Sequence, residues 1–249
     1  MLQFIHLTDC HLLDQNTKSL LDINTYESLS KVIQDITQKK LKYDFLLITG
    51  DISQDGSKES YELFSSLIKT LNKPIYCLPG NHDDPSLLKN IFKQSPNQAI
   101  SVNQIQNHLL ILLNSHIENL VSGKISTNQL DQLNNILKTN ANRPVIIALH
   151  HQPININSPW MDNISLENGD ELLTLLENFP MVKMILFGHI HQEINTNHQH
   201  IKIFGTPSTC YQFKPQSQTM LVDQLRPGYR NIKLLDDGTI KTELCRINE

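Results

Sequence analysis

The sequence of 249 residues has no excess of positive charge, no long apolar run and no closely spaced pair of cysteines. Its formal net charge is -4 and its like charges form no long blocks, so the basic stripe typical of nucleic-acid-binding proteins is missing. No apolar stretch approaches the roughly 18 residues that a membrane-spanning helix needs. We therefore expect neither a nucleic acid nor a membrane as a partner.

Signs of export are also missing. Residues 2–8 are strand-like and lack the basic and long apolar segments of a signal peptide. The four cysteines, Cys10, Cys77, Cys210 and Cys245, form no CxxC pair, so reduced thiols are expected. A hydrophobic fraction of 39% with 18% charged residues is typical of a globular chain. We expect a soluble, cytoplasmic protein.

Short apolar runs alternate with amphipathic segments along most of the chain. This alternation predicts an α/β fold with covered sheets. The predicted strands are 2–8, 45–48, 74–78, 109–113, 144–149, 182–187, 201–204, 219–223 and 229–235. Helices are predicted after Asn24, around 61–71 and 87–92, after Ser126 and over 172–179, with caps at Asn24 and Ser126. No linker or short-period repeat occurs, so residues 1–249 are expected to form a single domain.

Five polar clusters each follow an apolar run that is predicted to be a strand. In open α/β sheets, ligands bind at the C-terminal ends of the strands, so these clusters are expected to meet. Asp, Asn and His suit divalent first-row metals, and their number here is enough for two ions that share a bridging ligand. The clusters are Asp9-Cys10-His11, Gly50-Asp51, Gly80-Asn81-His82-Asp83, His150-His151 and Gly188-His189-Ile190-His191.

Spacing suggests how these side chains act. Asp9 and His11 stand two residues apart, as do His189 and His191, so on extended backbone each pair points to one side and can chelate one ion. The two oxygens of Asp51 can bridge two ions. Taken singly, Asp9, Asp51 and Asn81 are better explained as turn or cap residues, and the metal prediction rests on the five clusters together. His6, His108, His116, His198 and His200 are expected at surface or strand positions, and His151 as a residue that shapes the loop.

In this order the clusters resemble the calcineurin-like metallophosphoesterase family, whose pattern is D-x-H, G-D, G-N-H-[DE], H and G-H-x-H. The resemblance covers nearly the whole chain and implies a four-layer α/β/β/α sandwich. At subfamily level the chain is similar to bacterial class III 3′,5′-cyclic AMP phosphodiesterases. The segments that carry this likeness are 159–162, 165–168, 188–193, 206–210 and 212–215.

Carried over to this sequence, the family pattern implies two metal sites. Metal one is then held by Asp9, His11, Asp51 and His191, and metal two by Asp51, Asn81, His150 and His189. Fe and Mn are the favoured metals, with Zn as a further option. His82 is implied as a catalytic residue that binds no metal, with Asp83 orienting it. The residues implied to contact substrate or product are His11, Asp51, Asn81, His82, His150 and His191.

The implied reaction is hydrolysis of 3′,5′-cyclic AMP to 5′-AMP, by attack of a metal-bridging hydroxide on phosphorus. A broader phosphodiesterase or phosphomonoesterase, for example one acting on 2′,3′-cyclic nucleotides, is a second hypothesis. A non-catalytic scaffold is a third, and it is disfavoured because no residue of the pattern is missing. The sequence does not locate a base pocket: Trp160, Asn114 and Tyr211 are candidate lining residues, although ordinary packing is the better explanation for each.

Overall fold

The computed structural model describes residues 1–92 and 99–247. Its strands are β1 Leu2–Leu7, β2 Phe45–Thr49, β3 Ile75–Leu78, β4 Ile100–Ile105, β5 His108–Leu113, β6 Val145–Ala148, β7 Val182–Phe187, β8 Ile194–His198, β9 Ile201–Gly205, β10 Gln212–Phe213, β11 Val222–Asp223, β12 Gly228–Leu234 and β13 Ile240–Arg246. Its helices are α1 Thr25–Gln38, α2 Lys58–Ile68, α3 Pro85–Ile91, α4 Thr127–Thr139, α5 Pro159–Asp162 and α6 Gly169–Glu177, with a 3-10 turn at Lys69–Leu71.

Two large mixed sheets form the centre of the fold. The first has the order β13-β12-β1-β2-β3 and the second β4-β5-β6-β7-β9-β8. In the first sheet β1, β2 and β3 run parallel, and in the second β5, β6, β7 and β9 do. The C-terminal ends of the strands that precede the five polar clusters therefore meet along one edge of the paired sheets.

Three hydrophobic layers account for the continuous apolar runs of the strands. Successive residues of a strand point to opposite faces. In β1, Phe4 packs between the two sheets, whereas Ile5 packs against the helices that cover the first sheet. In β5, Leu110 and Ile111 divide in the same way between the inter-sheet layer and the helix-covered face. Because both faces of the central strands of both sheets are buried, the architecture is the four-layer sandwich that the resemblance implied, which confirms the fold class.

The two helix caps predicted from the sequence are confirmed. The Asn24 side chain accepts from the backbone N–H of Glu27 at the start of α1. Ser126 and Gln129 form the predicted capping box at the start of α4. Among the described residues, none of the helices combines the length and apolar character that a membrane crossing needs.

The observed strands differ from the prediction at several places. Of the strand predicted over 219–223, only Val222–Asp223 is a strand, and it pairs with β10 alone. Met220 and Leu221 are about half exposed and have no sheet partner in the described pairing, which explains the error.

The edge strands β4, β8 and β13 were missed, because each carries polar residues on an open face and lacks a continuous apolar run. Residues 93–98 of the segment that was hard to interpret lie outside the described residues.

Candidate metal centre

The seven predicted ligands lie together at the C-terminal ends of five strands. Asp9 and His11 follow β1, Asp51 follows β2 and Asn81 follows β3, all in the first sheet, while His150 follows β6 and His189 and His191 follow β7 in the second. The candidate site therefore straddles both sheets. Carboxylate and imidazole atoms approach within 4.8 Å of one another in groups that include Asp9 with His11 and His191, and Asp9 with Asp51 and His150.

The backbone at these ligands is not the extended strand that the spacing argument assumed. Five of the seven ligands have left-handed backbone: Asp9 (φ 53°), His11 (φ 46°), Asp51 (φ 48°), His189 (φ 67°) and His191 (φ 49°). Such conformations are uncommon for residues other than glycine, and they cluster at functional sites. The paired ligands converge because the chain turns sharply after each strand, rather than because alternate strand residues share a face.

The ligand loops are packed so closely that the adjoining glycines have no room for a side chain. A Cβ at Gly188 would lie 1.9 Å from Thr8 Oγ1 and 2.7 Å from Asp9 Oδ2. At Gly80 it would lie 2.1 Å from Asp51 Oδ1. These glycines let the β1, β2, β3 and β7 loops approach each other. The backbone N–H of His189 can then donate to Asp9 Oδ2 at 3.0 Å, and that of His82 to Asp51 Oδ1 at 2.9 Å.

Each of the four predicted histidine ligands uses one ring nitrogen to donate to an oxygen. His150 Nδ1 donates to the Thr49 carbonyl at 2.7 Å, His191 Nδ1 to the Tyr211 carbonyl at 2.8 Å and His189 Nε2 to the Ile164 carbonyl at 3.2 Å. His11 Nδ1 donates to the Gln54 side-chain oxygen at 2.8 Å. Such outer contacts fix the tautomer of a metal-binding histidine and leave the other nitrogen for the ion.

The free nitrogens face carboxylates and one another. His11 Nε2 lies 3.0 Å from His191 Nε2, and since both Nδ1 atoms donate elsewhere, two lone pairs meet there when both rings are neutral. His150 Nε2 lies 3.4 Å from Asp51 Oδ2 and 3.1 Å from Asn81 Oδ1. Buried imidazole nitrogens and carboxylates in this arrangement can hold a cation, and the donor set fits divalent first-row metals.

Burial and neighbouring charges shift the pKa values of the candidate ligands. Burial lowers the pKa of His11 to about 3, despite the nearby Asp51 carboxylate, so the ring is neutral, as a ligand must be. Burial alone would raise the pKa of Asp51, but His150 and His11 hold it well below its usual value. Burial would lower the pKa of His150, and the Asp51 carboxylate instead raises it to about 9. A metal ion at His150 Nε2 would displace this proton, because a ligating imidazole is neutral.

His82 and Asp83 contact different groups. The Asp83 carboxylate accepts from the backbone N–H groups of Ser53 and Gly80 and from the Tyr61 hydroxyl. It thus secures the loops after β2 and β3, and no hydrogen bond joins it to the His82 ring among the described contacts. The His82 Nδ1 atom faces Gln54 instead. Sequence reasoning did not single out Gln54, since a glutamine three residues after Asp51 carries no signal of its own.

The structure also shows the surroundings of His151 and of the candidate base-pocket residues. His151 donates from Nε2 to the Val121 carbonyl and its Nδ1 accepts from Ser115, so both nitrogens are occupied. Trp160 and Tyr211 line a cavity of about 290 Å³ above the ligand cluster, whereas Asn114 is absent from that lining. The Tyr211 ring stacks on His11 at a centroid distance of 5.6 Å. The carbonyl groups that orient the histidines could not be recognised from residue type, because every residue has one.

The chain is similar to known proteins over its whole length. Residues 2–193 match the model of the calcineurin-like phosphoesterase family. Over 250 residues the chain is 38% identical to the 3′,5′-cyclic adenosine monophosphate phosphodiesterase CpdA of Haemophilus influenzae, covering 100% of this chain and 91% of the relative. It is 40% identical over 241 residues to a 3′,5′-cyclic-nucleotide phosphodiesterase of Nostoc, covering 97% and 91%.

Solved structures share the fold at low identity. A dimetal phosphatase from Danio rerio matches with a TM-score of 0.69 at 14% identity, over 99% of both chains. A purple acid phosphatase from yellow lupin matches with a TM-score of 0.73 at 13% identity, over 98% of this chain and 51% of that chain.

Proposed function

Because this chain belongs to the calcineurin-like phosphoesterase family, we propose that it hydrolyses 3′,5′-cyclic AMP to 5′-AMP at a dinuclear metal centre. The observation that carries the proposal is the convergence of seven buried or half-buried ligands, whose histidines each offer one ring nitrogen toward the cluster. The names of the Haemophilus and Nostoc relatives supply the substrate.

In this proposal Asp51 serves both metal sites. Asp9, His11 and His191 complete the first site, and Asn81, His150 and His189 complete the second. The position of Asp51 supports this role, since its Oδ2 atom lies 3.7 Å from His11 Nε2 and 3.4 Å from His150 Nε2. Two bound ions supply a water nucleophile of lowered pKa and positive charge beside the phosphoryl oxygens.

His82 is proposed to act on the phosphate without binding metal. Its ring lines the cavity above the cluster, and Nδ1 is engaged by Gln54, so Nε2 is the nitrogen available to the substrate. As the bond from phosphorus to the 3′ oxygen breaks, Nε2 can donate to that oxygen or to an equatorial phosphoryl oxygen. The water oxygen becomes bound to phosphorus and the ring opens to the 5′-monophosphate.

The cavity also suits a nucleoside. Apart from the residues of the cluster and its immediate neighbours, the lining is apolar, with side chains from four separate segments: Leu20, Leu21, Val121, Trp160, Met161, Ile164, Phe213 and Met220. Trp160 packs edge-on against Phe213 with ring centroids 4.9 Å apart, and its indole N–H donates to Ser217, which holds the wall in place. A flat base can bind there by apolar contact while the cyclic phosphate reaches the metal centre.

The test is to incubate Mn²⁺-loaded protein with 3′,5′-cyclic AMP and to identify the product by chromatography. Parallel assays with 2′,3′-cyclic AMP and p-nitrophenyl phosphate test whether the protein is instead a broader phosphodiesterase or phosphomonoesterase. Asp51→Asn serves as the inactive variant, and Asp14→Asn as its matched control, since Asp14 pairs with Lys18 at the surface.

The expected result is 5′-AMP formation in wild type and Asp14→Asn, abolished in Asp51→Asn. Turnover of only the two comparison substrates would remove the cyclic AMP assignment and keep the metal chemistry. Formation of 3′-AMP would contradict the departure of the 3′ oxygen. Protein with full metal content and no turnover of any substrate would overturn the enzymatic function.

A further inference from the structure

Gln54 connects a predicted metal ligand to the predicted catalytic histidine. Its side-chain Oε1 accepts from His11 Nδ1 at 2.8 Å, and its Nε2 lies 3.3 Å from His82 Nδ1. Its backbone carbonyl oxygen lies 3.2 Å from the same nitrogen of His82. The two rings meet edge to face, with centroids 5.1 Å apart and planes at 79°. A single residue thus contacts both rings.

The chemistry of His11 decides which way the amide points. His11 Nε2 is the nitrogen proposed to bind metal, so in the neutral ring the hydrogen is on Nδ1, where only an oxygen can receive it. The amide oxygen of Gln54 is therefore directed to His11, and its NH₂ group to His82. A Glu side chain at this position has two acceptor oxygens and no N–H group, so it could accept from His11 but could not donate to His82 Nδ1.

The same geometry holds the His82 ring whether its hydrogen is on Nδ1 or on Nε2. When Nδ1 carries hydrogen it donates to the Gln54 carbonyl, and when it does not, the Gln54 amide donates to it. The Nε2 atom keeps one direction in both cases. The backbone at residue 54 is held in place by hydrogen bonds. Its N–H donates to the Leu12 carbonyl at 2.8 Å, and the Leu12 N–H donates to the Ile52 carbonyl at 2.9 Å.

We propose that Gln54 is a positioning residue for hydrolysis: it sets the His82 ring against the His11 side of the metal centre, so that Nε2 meets the substrate phosphate. The proposal rests on the proposed hydrolase function. Gln54 takes the orienting role that the sequence suggested for Asp83, whose carboxylate is bonded to backbone N–H groups and to Tyr61.

A double-mutant cycle on Mn²⁺-loaded protein tests this, with Gln54→Ala, His82→Ala and the double variant assayed on 3′,5′-cyclic AMP. Loss of an outer contact at a metal site typically costs about 10–100-fold, and we expect a fall of that size in kcat for Gln54→Ala with KM nearly unchanged. If Gln54 acts through His82, the double variant is no slower than His82→Ala alone. Losses that multiply, or a Gln54→Ala rate equal to wild type, would overturn the proposal.

Gln3→Ala is the matched control, because Gln3 is a buried glutamine whose amide donates to Asn231 at the far end of β1 from the site. We expect its kcat to equal that of wild type. Metal content per chain is measured for every variant, so that a loss of metal is separated from a loss of positioning.

Nitrogen-detected NMR of the histidine rings in Zn²⁺-loaded protein gives a readout that needs no turnover. We expect the Nδ1–H signal of His11 to be sharp in wild type and Gln3→Ala, and exchange-broadened or shifted together with the His82 signals in Gln54→Ala. Unchanged His82 signals in Gln54→Ala would contradict the positioning role. If wild type turned over no phosphoester, the proposed function would fail while this measurement still decided the Gln54 contacts.

Discussion

His11 and His191 face each other through their Nε2 atoms at 3.0 Å, while each ring donates its Nδ1 hydrogen elsewhere, to Gln54 and to the Tyr211 carbonyl. When both rings are neutral, both Nε2 atoms are acceptors, and two buried acceptors at this distance repel each other. A cation between them or beside them removes the repulsion and converts the pair into ligands. This relationship links the packing of two loops, one after β1 and one after β7, to metal binding.

The first prediction is that metal stabilises the fold. Mn²⁺ at 100 times its Kd should stabilise the protein by about 2.7 kcal/mol, because it binds the assembled site and not the separated loops. Scanning calorimetry with Mn²⁺ and with a chelator measures the difference in Tm. His191→Ala should lose most of the Mn²⁺-dependent rise, whereas His198→Ala should keep it, since His198 pairs with Glu177 outside the site. Equal rises in both variants would contradict the ligand role of His191.

The second prediction concerns Asp51→Asn. Replacing the carboxylate by an amide removes the negative charge that lies between His11 and His150. We expect metal content to fall at both sites and turnover to be lost, as measured by elemental analysis and assay under saturating substrate. Asp14→Asn should retain wild-type metal content. Two metals per chain with full activity in Asp51→Asn would show that Asp51 does not bridge.

The third prediction is that His82→Ala keeps its metals and loses turnover. His82 contacts Gln54 and lines the cavity, and its proposed role is to donate to the substrate, so we expect kcat to fall by roughly 10²–10⁴-fold. Mn²⁺ content should match that of wild type and of His198→Ala. A variant without either metal would instead identify His82 as a ligand.

The fourth prediction is a pH dependence of stability caused by His6. His6 is buried between the sheets with Thr49 and Thr206 on its two ring nitrogens, and burial, followed by the charge of Arg230, lowers its pKa to about 3. The unfolded chain takes up this proton below about pH 6.5 and the folded protein does not. The free energy of unfolding should therefore fall as the pH falls from 6.5 toward 3, with a contribution from His6 of at most about 1.4 kcal/mol per pH unit.

Urea unfolding of metal-free protein at pH 7, 6 and 5 measures this slope. His6→Gln, which does not titrate, should give a shallower slope than wild type, while His198→Ala should follow wild type. If the free energy of unfolding changed equally with pH in wild type and His6→Gln, His6 would not be the cause of the pH dependence.

The fifth prediction concerns Arg230, which is buried although it carries a charge. Its guanidinium donates to Asn195, Thr242 and the Gly205 carbonyl, and so joins β12 of the first sheet to β8 and β9 of the second. Arg230→Ala would leave these acceptors unpaired and a cavity between the sheets, so we expect a loss of roughly 3–5 kcal/mol in the free energy of unfolding. Lys241→Ala, at an exposed position of the neighbouring strand, should be nearly neutral in the same denaturant titration. Equal stability of the two variants would contradict the role of Arg230 in joining the two sheets.

The resemblance recognised in the sequence is confirmed by the family match and by the four-layer fold. The central strands β1, β2, β6 and β7 and the two capped helices were predictable because each is a local pattern: an apolar run buried on both faces, or a cap followed by helical spacing. The edge strands β4, β8 and β13 were not, since many of their residues face solvent and they lack a continuous apolar run.

By itself, the sequence determined the alternation of strands and helices, the order of the polar clusters and hence the family, because these depend on residue type and spacing along the chain. Only the tertiary structure decided how the clusters act. The left-handed turns that aim Asp9 and His191, the carbonyls that select each histidine tautomer and the contact of Gln54 with His82 all arise between distant segments. Backbone oxygens are the same for every residue, so their use as partners appears only when the chain is folded.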